Sequence, residues 1–123
     1  MSQSPYRERI LDHYRSPRHR GELDSADVQA ELENPVCGDV VRIALRLNEQ
    51  GRVAGVAFDG KGCVLSMAAA SMLAEHIHGR DVSAVEGLTD QDMLDLLGVE
   101  LGPVRVNCAL LPLRALEKAL SER

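Results

Sequence analysis

Aromatic side chains are scarce in this 123-residue chain, which has no Trp, two Tyr and one Phe. Proteins that bind single-stranded nucleic acid commonly stack the bases on aromatic side chains. A surplus of positive charge is missing too, because 14 Lys and Arg stand against 19 Asp and Glu, giving a formal net charge of −5. Both absences argue against a nucleic-acid partner.

Long apolar runs are also absent. No stretch reaches the roughly 18 apolar residues that a membrane-spanning helix requires, and the N-terminus lacks the apolar segment of a secretory signal. We therefore expect no membrane association and a cytoplasmic location. The length and the 45% hydrophobic content are typical of one soluble domain, which we expect to occupy residues 1–123.

Hydrophobic periodicity and turn signals predict an α+β fold. We predict helices over residues 4–15, 64–78, 81–85, 89–97 and 104–121, and strands over residues 28–33, 41–47 and 53–59. Gly60-Lys61-Gly62 is expected to end the third strand, and Pro112 leaves the last helix either kinked or beginning near Leu111. Strands followed by helices favour a small three-stranded antiparallel sheet with helices packed on one face.

The chain has three cysteines, an odd number that cannot all pair, and this favours metal binding or thiol chemistry over a disulfide framework. Cys37, Cys63 and Cys108 are separated by 26 and 45 residues, so a shared site must be assembled by the fold. Cys37 lies in a Pro/Gly turn, and Cys63 begins a helix, where free backbone N–H groups lower the pKa of a thiol. Cys108 follows Arg105 and is expected to open a helical turn. We expect three accessible, activated thiols, the alternative being three small buried apolar side chains.

Asp39 stands two residues after Cys37, where it either faces the same cavity or braces the turn. With it, the three cysteines supply three sulfurs and one oxygen, enough for one tetrahedral ion or one small iron-sulfur cluster. A carboxylate is a harder and more replaceable ligand than a thiolate. Asp39 would thus be the ligand through which a bound centre is released.

The segments around the cysteines resemble the IscU/SufU/NifU N-terminal family of iron-sulfur cluster assembly scaffolds. They are residues 10–14 with 16–18, Asn34-Pro35-Val36-Cys37-Gly38-Asp39, residues 62–68 beginning Gly62-Cys63, and residues 104–108 ending Asn107-Cys108. The resemblance implies a SufE/NifU-like fold that accepts persulfide sulfur from a cysteine desulfurase, builds a labile [2Fe-2S] cluster with iron, and passes it to acceptor or carrier proteins. It implies cluster ligation by Cys37, Asp39, Cys63 and Cys108, which also bind zinc in this family.

Finer features of the resemblance point to the SufU branch, in which a zinc-bound protein accepts sulfur. Residues 66–68 and Arg105 are similar to that branch, and Asn107 stands where the IscU branch carries a histidine. The insertion usual in SufU proteins, between the second and third cysteines, is missing. Residues 101–105 have Gly and Arg where the IscU chaperone-recognition motif has Pro and Lys, which leaves chaperone binding open.

Three functional hypotheses share these ligands. The leading one is a cluster assembly scaffold in which Cys37 or Cys108 first accepts the persulfide, and Lys61 and Arg105 stabilise thiolates or steer the desulfurase. The second is a zinc-dependent sulfurtransferase that relays sulfur from its desulfurase. The third is a structural zinc domain, which would unfold when the metal is removed.

The four histidines have no cysteine near them in the sequence. His13 lies in the first helix, His19 in a basic loop, and His76 and His78 near a helix end. We predict that each is structural or solvated.

Overall fold

The structure is a computed structural model that describes residues 4–122, the side chain of Ser4 excepted. Its elements are α1 (Ser4–Arg15), β1 (Val28–Asn34), β2 (Asp39–Leu47), β3 (Val53–Lys61), α2 (Val64–Ile77), α3 (Val82–Glu86), α4 (Asp90–Leu97) and α5 (Pro103–Ser121). The predicted α+β fold is confirmed. None of the helices within the described range combines the length and apolar character of a membrane-spanning segment.

The three strands form one antiparallel sheet in the order β1-β2-β3. Side chains alternate between the two faces of a strand. Val41, Ile43 and Leu45 of β2 are each 0% exposed, whereas Arg42 and Arg46 between them reach solvent. α5 packs on β1 and β2, and α2 packs on β2 and β3. The helices therefore cover the apolar face, and the other face stays polar.

α2 is the central helix, in contact with the sheet and with α1, α4 and α5. It is apolar on nearly every side, as expected for a helix surrounded by other elements. The run from Ala68 to Ala70 is 0% exposed, and these small side chains let neighbouring elements approach closely. Burial of this helix fixes the position of both of its ends.

The predicted last helix is confirmed, and the predicted end of the third strand needs correction. α5 is one helix with Pro112 buried inside it, so the alternative start near Leu111 is excluded. Pro112 has no N–H to donate to the Cys108 carbonyl four residues earlier, and the helix lacks that bond. β3 does not stop before Gly60 but continues to Lys61, because a Cβ at position 60 would lie 2.0 Å from the carbonyl oxygen of Val40 and only glycine permits the pairing.

The segment after α1, residues 16–21, runs along the free edge of β3 and is called the edge loop below. The Phe58 N–H donates to the His19 carbonyl at 2.9 Å, and the Gly21 N–H donates to the Phe58 carbonyl at 2.8 Å. These bonds satisfy backbone groups that an uncovered edge strand would leave free for another chain.

Candidate metal centre

Three separate parts of the chain bring the cysteines to one end of the sheet. Cys37 lies in the turn between β1 and β2, Cys63 lies between β3 and α2, and Cys108 lies in α5. The sulfur atoms of Cys37 and Cys108 are 3.5 Å apart. Residues that are 71 positions apart in sequence are thus in direct contact.

The Cys37 turn is shaped by Asn34. The Asn34 side-chain oxygen accepts a hydrogen bond from the Val36 N–H at 3.1 Å, and its amide nitrogen lies 3.7 Å from the Cys37 sulfur. The Gly38 N–H donates to the Asn34 carbonyl at 2.7 Å. Cys37 is exposed, as predicted. The composition of residues 34–39 predicted this turn, whereas the contact between Asn34 and the Cys37 sulfur is seen only in the structure.

Cys63 is the N-cap of α2, as its place before the predicted helix indicated. Its sulfur accepts a hydrogen bond from the Ser66 N–H at 3.4 Å, and the thiol is exposed. The Ser66 hydroxyl, which is fully buried, donates to the Cys63 carbonyl at 3.2 Å. The first turn of α2 therefore fixes this thiol, and Ser66 is a supporting residue that the sequence analysis missed.

Cys108 contradicts the expectation of a third accessible, activated thiol. It is 5% exposed and lies in the second turn of α5 rather than at a helix beginning, because α5 starts at Pro103. Burial raises the pKa of Cys108 to about 12, and hydrogen bonding to Cys37 and the nearby Cys63 sulfur contribute. Without a metal, Cys108 is a protonated thiol at neutral pH.

Asp39 opens β2 and is 4% exposed, and its Oδ2 atom has no hydrogen-bond partner among residues 4–122. A carboxylate oxygen and the sulfurs of Cys37 and Cys108 all lie within 4.8 Å of one another. A buried polar atom without a partner costs about 1–3 kcal/mol, more when charged. A bound cation would remove that cost, so the orphaned oxygen fits a metal ligand better than a brace of the turn.

Gly62 makes room for this arrangement. A Cβ at position 62 would lie 2.8 Å from Cγ of Asp39 and 2.5 Å from the Ser66 hydroxyl oxygen. Any larger residue would displace the carboxylate or the first turn of α2. Glycine is required at position 62 because the start of β2 and the start of α2 approach each other closely there. No local sequence pattern reveals that approach.

The four predicted ligands do not all lie equally close together. Cys37, Asp39 and Cys108 form the one group of three or more metal-ligating side chains found among residues 4–122. Cys63 stands outside that compact group, yet it is near enough to help raise the pKa of Cys108. The donor set is soft, with one harder oxygen, which suits zinc or an iron-sulfur cluster.

The two predicted supporting cations lie at the margin of this centre. Arg105 is exposed and lines, together with Cys63, a cavity of about 510 Å³. Lys61 is exposed at the end of β3, where it pairs with Val40. Their roles in holding thiolates or steering a partner stay predictions.

Each cysteine has an exposed valine close to it in the chain. Val36 is 84% exposed beside Cys37, Val64 is 39% exposed beside Cys63, and Val104 is 61% exposed one turn before Cys108 in α5. We call these three residues the valine rim. Exposed apolar side chains near the thiols are available for contact with another molecule.

Known proteins are similar to this chain in sequence and in fold. The NifU-like N terminal domain family matches residues 5–122. The zinc-dependent sulfurtransferase SufU of Bacillus subtilis is 35% identical, over 95% of this chain and 90% of its own length. The iron-sulfur cluster assembly scaffold protein IscU of Azotobacter vinelandii is 31% identical, over 95% and 92%. The crystal structure of the SUF-system protein FiSufU from Fervidobacterium islandicum AW-1 has a TM-score of 0.75 and 26% identity, covering 98% of this chain and 99% of its own.

The lengths of these alignments also differ. The SufU alignment runs over 134 residues, more than the 123 of this chain, whereas the IscU alignment runs over 120. SufU therefore carries residues without a counterpart here, in agreement with the missing insertion. The family match, the two relatives and the fold agree with one another, and the chain belongs to the family of NifU-like N-terminal domains.

Proposed function

We propose that this protein is an iron-sulfur cluster assembly scaffold. It takes persulfide sulfur from a cysteine desulfurase, combines it with ferrous iron and with electrons from an external reductant that convert the sulfur to sulfide, and passes a [2Fe-2S] cluster to acceptor or carrier proteins. The observation that carries the proposal is the group of Cys37, Asp39 and Cys108 with Cys63 beside it, in which a buried Asp39 oxygen lacks a protein partner. The reducing cytoplasm, which keeps cysteines as free thiols, is the compartment we propose for it.

The donor set suits a cargo that must be held and then given away. Thiolates bind iron and sulfide-bridged iron firmly, whereas a carboxylate is a harder and more easily replaced ligand. Cys37, Cys63 and Cys108 would retain the cluster, and Asp39 would be the ligand that an acceptor displaces first.

Cys37 is the thiol that we propose receives the sulfur. It is exposed in a turn, whereas Cys108 is 5% exposed inside α5. The Cys37 thiolate attacks the outer sulfur of the desulfurase persulfide, so that a new S–S bond forms on Cys37 and the desulfurase cysteine leaves as a thiolate. Cys108, with its sulfur 3.5 Å away, is next to the sulfur so delivered.

The valine rim and Arg105 supply the docking surface for the desulfurase in this proposal. The rim is apolar and exposed around the thiols, and Arg105 adds a positive charge beside Cys63. Burial of apolar side chains provides affinity, and a charge at the margin provides orientation.

Anaerobic reconstitution tests the scaffold function. We expect ferrous iron, cysteine, a dithiol reductant and a catalytic amount of desulfurase to generate the visible charge-transfer absorption of a cluster, and that cluster to transfer to an apo-acceptor. Cys37→Ala should abolish both, whereas Asp59→Asn, which changes a carboxylate on the open face of the sheet, should leave both intact. Formation of no cluster by the unmodified chain would refute the proposal.

A zinc-dependent sulfurtransferase is the second candidate, favoured by the 35% identity to Bacillus subtilis SufU. Three thiolates and one carboxylate also complete a tetrahedral zinc site. This candidate predicts that zinc stays bound during turnover, that desulfurase activity rises, and that no cluster is transferred. The same reconstitution therefore separates the two functions.

A purely structural zinc domain is less well supported. Among the described residues, the main cluster of core side chains from the sheet and the helices includes no cysteine, and Cys108 is the one cysteine that is buried. We therefore expect the chain to stay folded without metal, whereas a structural zinc domain would unfold.

A further inference from the structure

Two histidines lie close together at the end of α2 remote from the thiols. The ring centroids of His19 and His78 are 5.0 Å apart, with the ring planes at 59°. His78 caps the C-terminus of α2, whose N-cap is Cys63. The 14 residues of this helix span roughly 21 Å at 1.5 Å per residue. The pair is therefore a separate feature from the cysteine centre.

Both histidines are positioned by strand β3. Nε2 of His78 lies 3.3 Å from the carbonyl oxygen of Ala54. The His19 carbonyl accepts a hydrogen bond from the Phe58 N–H at 2.9 Å, which ties the edge loop to the strand. His19 has a φ of +65°, a left-handed conformation that histidine adopts more readily than most residues. Neither ring depends on a flexible segment for its place.

The spacing of the two rings matches that of two ligands on one ion. At a Zn–N distance of about 2.0–2.1 Å, two imidazoles on a tetrahedral ion have their ring centroids about 5 Å apart. Metal-bound histidines usually donate their other ring N–H to a carbonyl or carboxylate, which is the contact that His78 makes with Ala54. Nδ1 of His78 is then left as the lone-pair nitrogen.

The surroundings of His19 favour the neutral ring, which is the form of imidazole that binds a metal. Burial, and secondly the charge of His78, lower the pKa of His19 below its ordinary value of 6.5, so the ring is neutral at neutral pH. Glu75, three residues before His78, carries an exposed carboxylate whose charge acts on His19 in the opposite direction. Glu75 also lies 3.7 Å from Nε2 of His13 and 3.9 Å from Nε of Arg18.

We propose that His19 and His78 form a second metal-binding site, for a zinc-class divalent ion, with water completing the coordination and the charge of Glu75 acting on His19. Imidazole nitrogen is a preferred ligand of such ions. The bound ion would join the edge loop to the end of α2. The site is independent of the proposed function, and the sequence analysis had predicted only structural or solvated roles for both histidines.

Zinc titration of the protein with its thiol centre already filled tests this site. After one equivalent of Zn²⁺ is bound, calorimetry near pH 7.5 should detect a second, weaker equivalent. His19→Gln and His78→Gln should each weaken that second equivalent at least about tenfold, the lower end of what even an outer-shell change costs. His76→Gln is the matched control, since His76 is on the same helix outside the pair, and should leave the second equivalent unchanged.

Three results would overturn the site. They are the absence of a second equivalent up to about 1 mM Zn²⁺, a second equivalent that survives both substitutions, and an equal loss in His76→Gln. Metal-free thermal unfolding of each variant checks that its fold is intact. Cys63→Ala should weaken the first equivalent and spare the second, so failure here and failure of the cluster function are distinguishable.

Discussion

The two ends of α2 are built in opposite ways. At the Cys63 end the donors are sulfur and carboxylate, one Asp39 oxygen has no partner, and the valine rim is exposed. At the His78 end the ring nitrogen contacts the Ala54 carbonyl, and the edge loop hydrogen-bonds to β3. The first end is left incomplete by the protein's own groups, whereas the second is tied to β3 by hydrogen bonds and offers histidine nitrogens for the ion proposed above. An incomplete, exposed end is what a site that receives and releases cargo requires.

The stability of the fold comes from the hydrophobic core that lies between the two ends of α2. α2, α5 and the apolar face of the sheet share one core cluster that includes Ile43, Phe58 and Leu73. Burial of such side chains contributes about 1.5–3 kcal/mol each. Together these side chains contribute more than the roughly 1–3 kcal/mol cost of one unpartnered polar atom, so the molecule tolerates Asp39 as it is.

Removing one donor side chain at a time, from either end of α2, should give the largest difference in zinc affinity. Structural zinc sites bind with about 10–16 kcal/mol shared over four ligands, so Cys63→Ala should weaken the first zinc equivalent roughly 100- to 1,000-fold. His78→Ala should leave that equivalent unchanged, because His78 lies at the other end of the helix. A competition titration with a chromophoric chelator measures both. Equal weakening by the two substitutions would break the contrast.

A smaller effect is expected from the unpartnered carboxylate. Asp39→Ala should raise the metal-free free energy of unfolding by about 1 kcal/mol, since it removes a buried oxygen without a partner. The same variant should release a cluster to an acceptor more slowly. Denaturant unfolding and acceptor reconstitution measure the two effects.

Asp59→Ala, the matched carboxylate variant, should lower the free energy of unfolding instead of raising it. Asp59 accepts hydrogen bonds from the Gly60 N–H at 2.8 Å and from Arg20 at 3.2 Å, so Asp59→Ala should lower stability slightly. If Asp39→Ala destabilises the metal-free protein as much as Asp59→Ala does, the Asp39 oxygen is not a vacant ligand.

The smallest effect is a pH dependence that arises away from the thiols. The Ser71 hydroxyl oxygen accepts from the Arg18 N–H at 2.8 Å, so its proton points to Nδ1 of His13, also at 2.8 Å. Burial, followed by the charge of Arg18, lowers the pKa of His13 from 6.5. The neutral ring therefore stabilises the fold above about pH 6.5, and this stabilisation is lost as the pH falls through the lower folded-state pKa.

Unfolding of metal-free protein at about pH 7.5 and pH 5.5 measures this dependence. The parent should be less stable at the lower pH, and the difference should shrink in His13→Asn, whose amide oxygen can replace Nδ1 as an acceptor. An undiminished difference in His13→Asn would assign the effect to His19 and His76, whose pKa values burial also lowers.

Local signals account for what the sequence predicted well. Alternation from Val41 to Leu47 placed β2, and Thr89 with Gly98 bounded α4 through a capping box and a left-handed stop. Each of these features depends on residues within one turn or one strand. The resemblance then grouped the four ligands, which spacings of 26 and 45 residues alone could not do.

Contacts between distant segments account for what the sequence did not reveal. The burial of Cys108 depends on how α5 packs on the sheet, and the extension of β3 depends on the close approach of Gly60 to Val40. The space for Asp39 depends on Gly62, and the histidine pair depends on the edge loop meeting the end of α2. None of these contacts produces a periodic pattern in the sequence.

X-ray absorption at the zinc edge of protein loaded with one equivalent tests most directly whether four side chains share one centre. The account predicts three sulfur neighbours at about 2.3 Å and one oxygen neighbour at about 2.0–2.2 Å, with the oxygen contribution altered in Asp39→Ala. Two or fewer sulfurs, or a nitrogen neighbour in place of the oxygen, would contradict it.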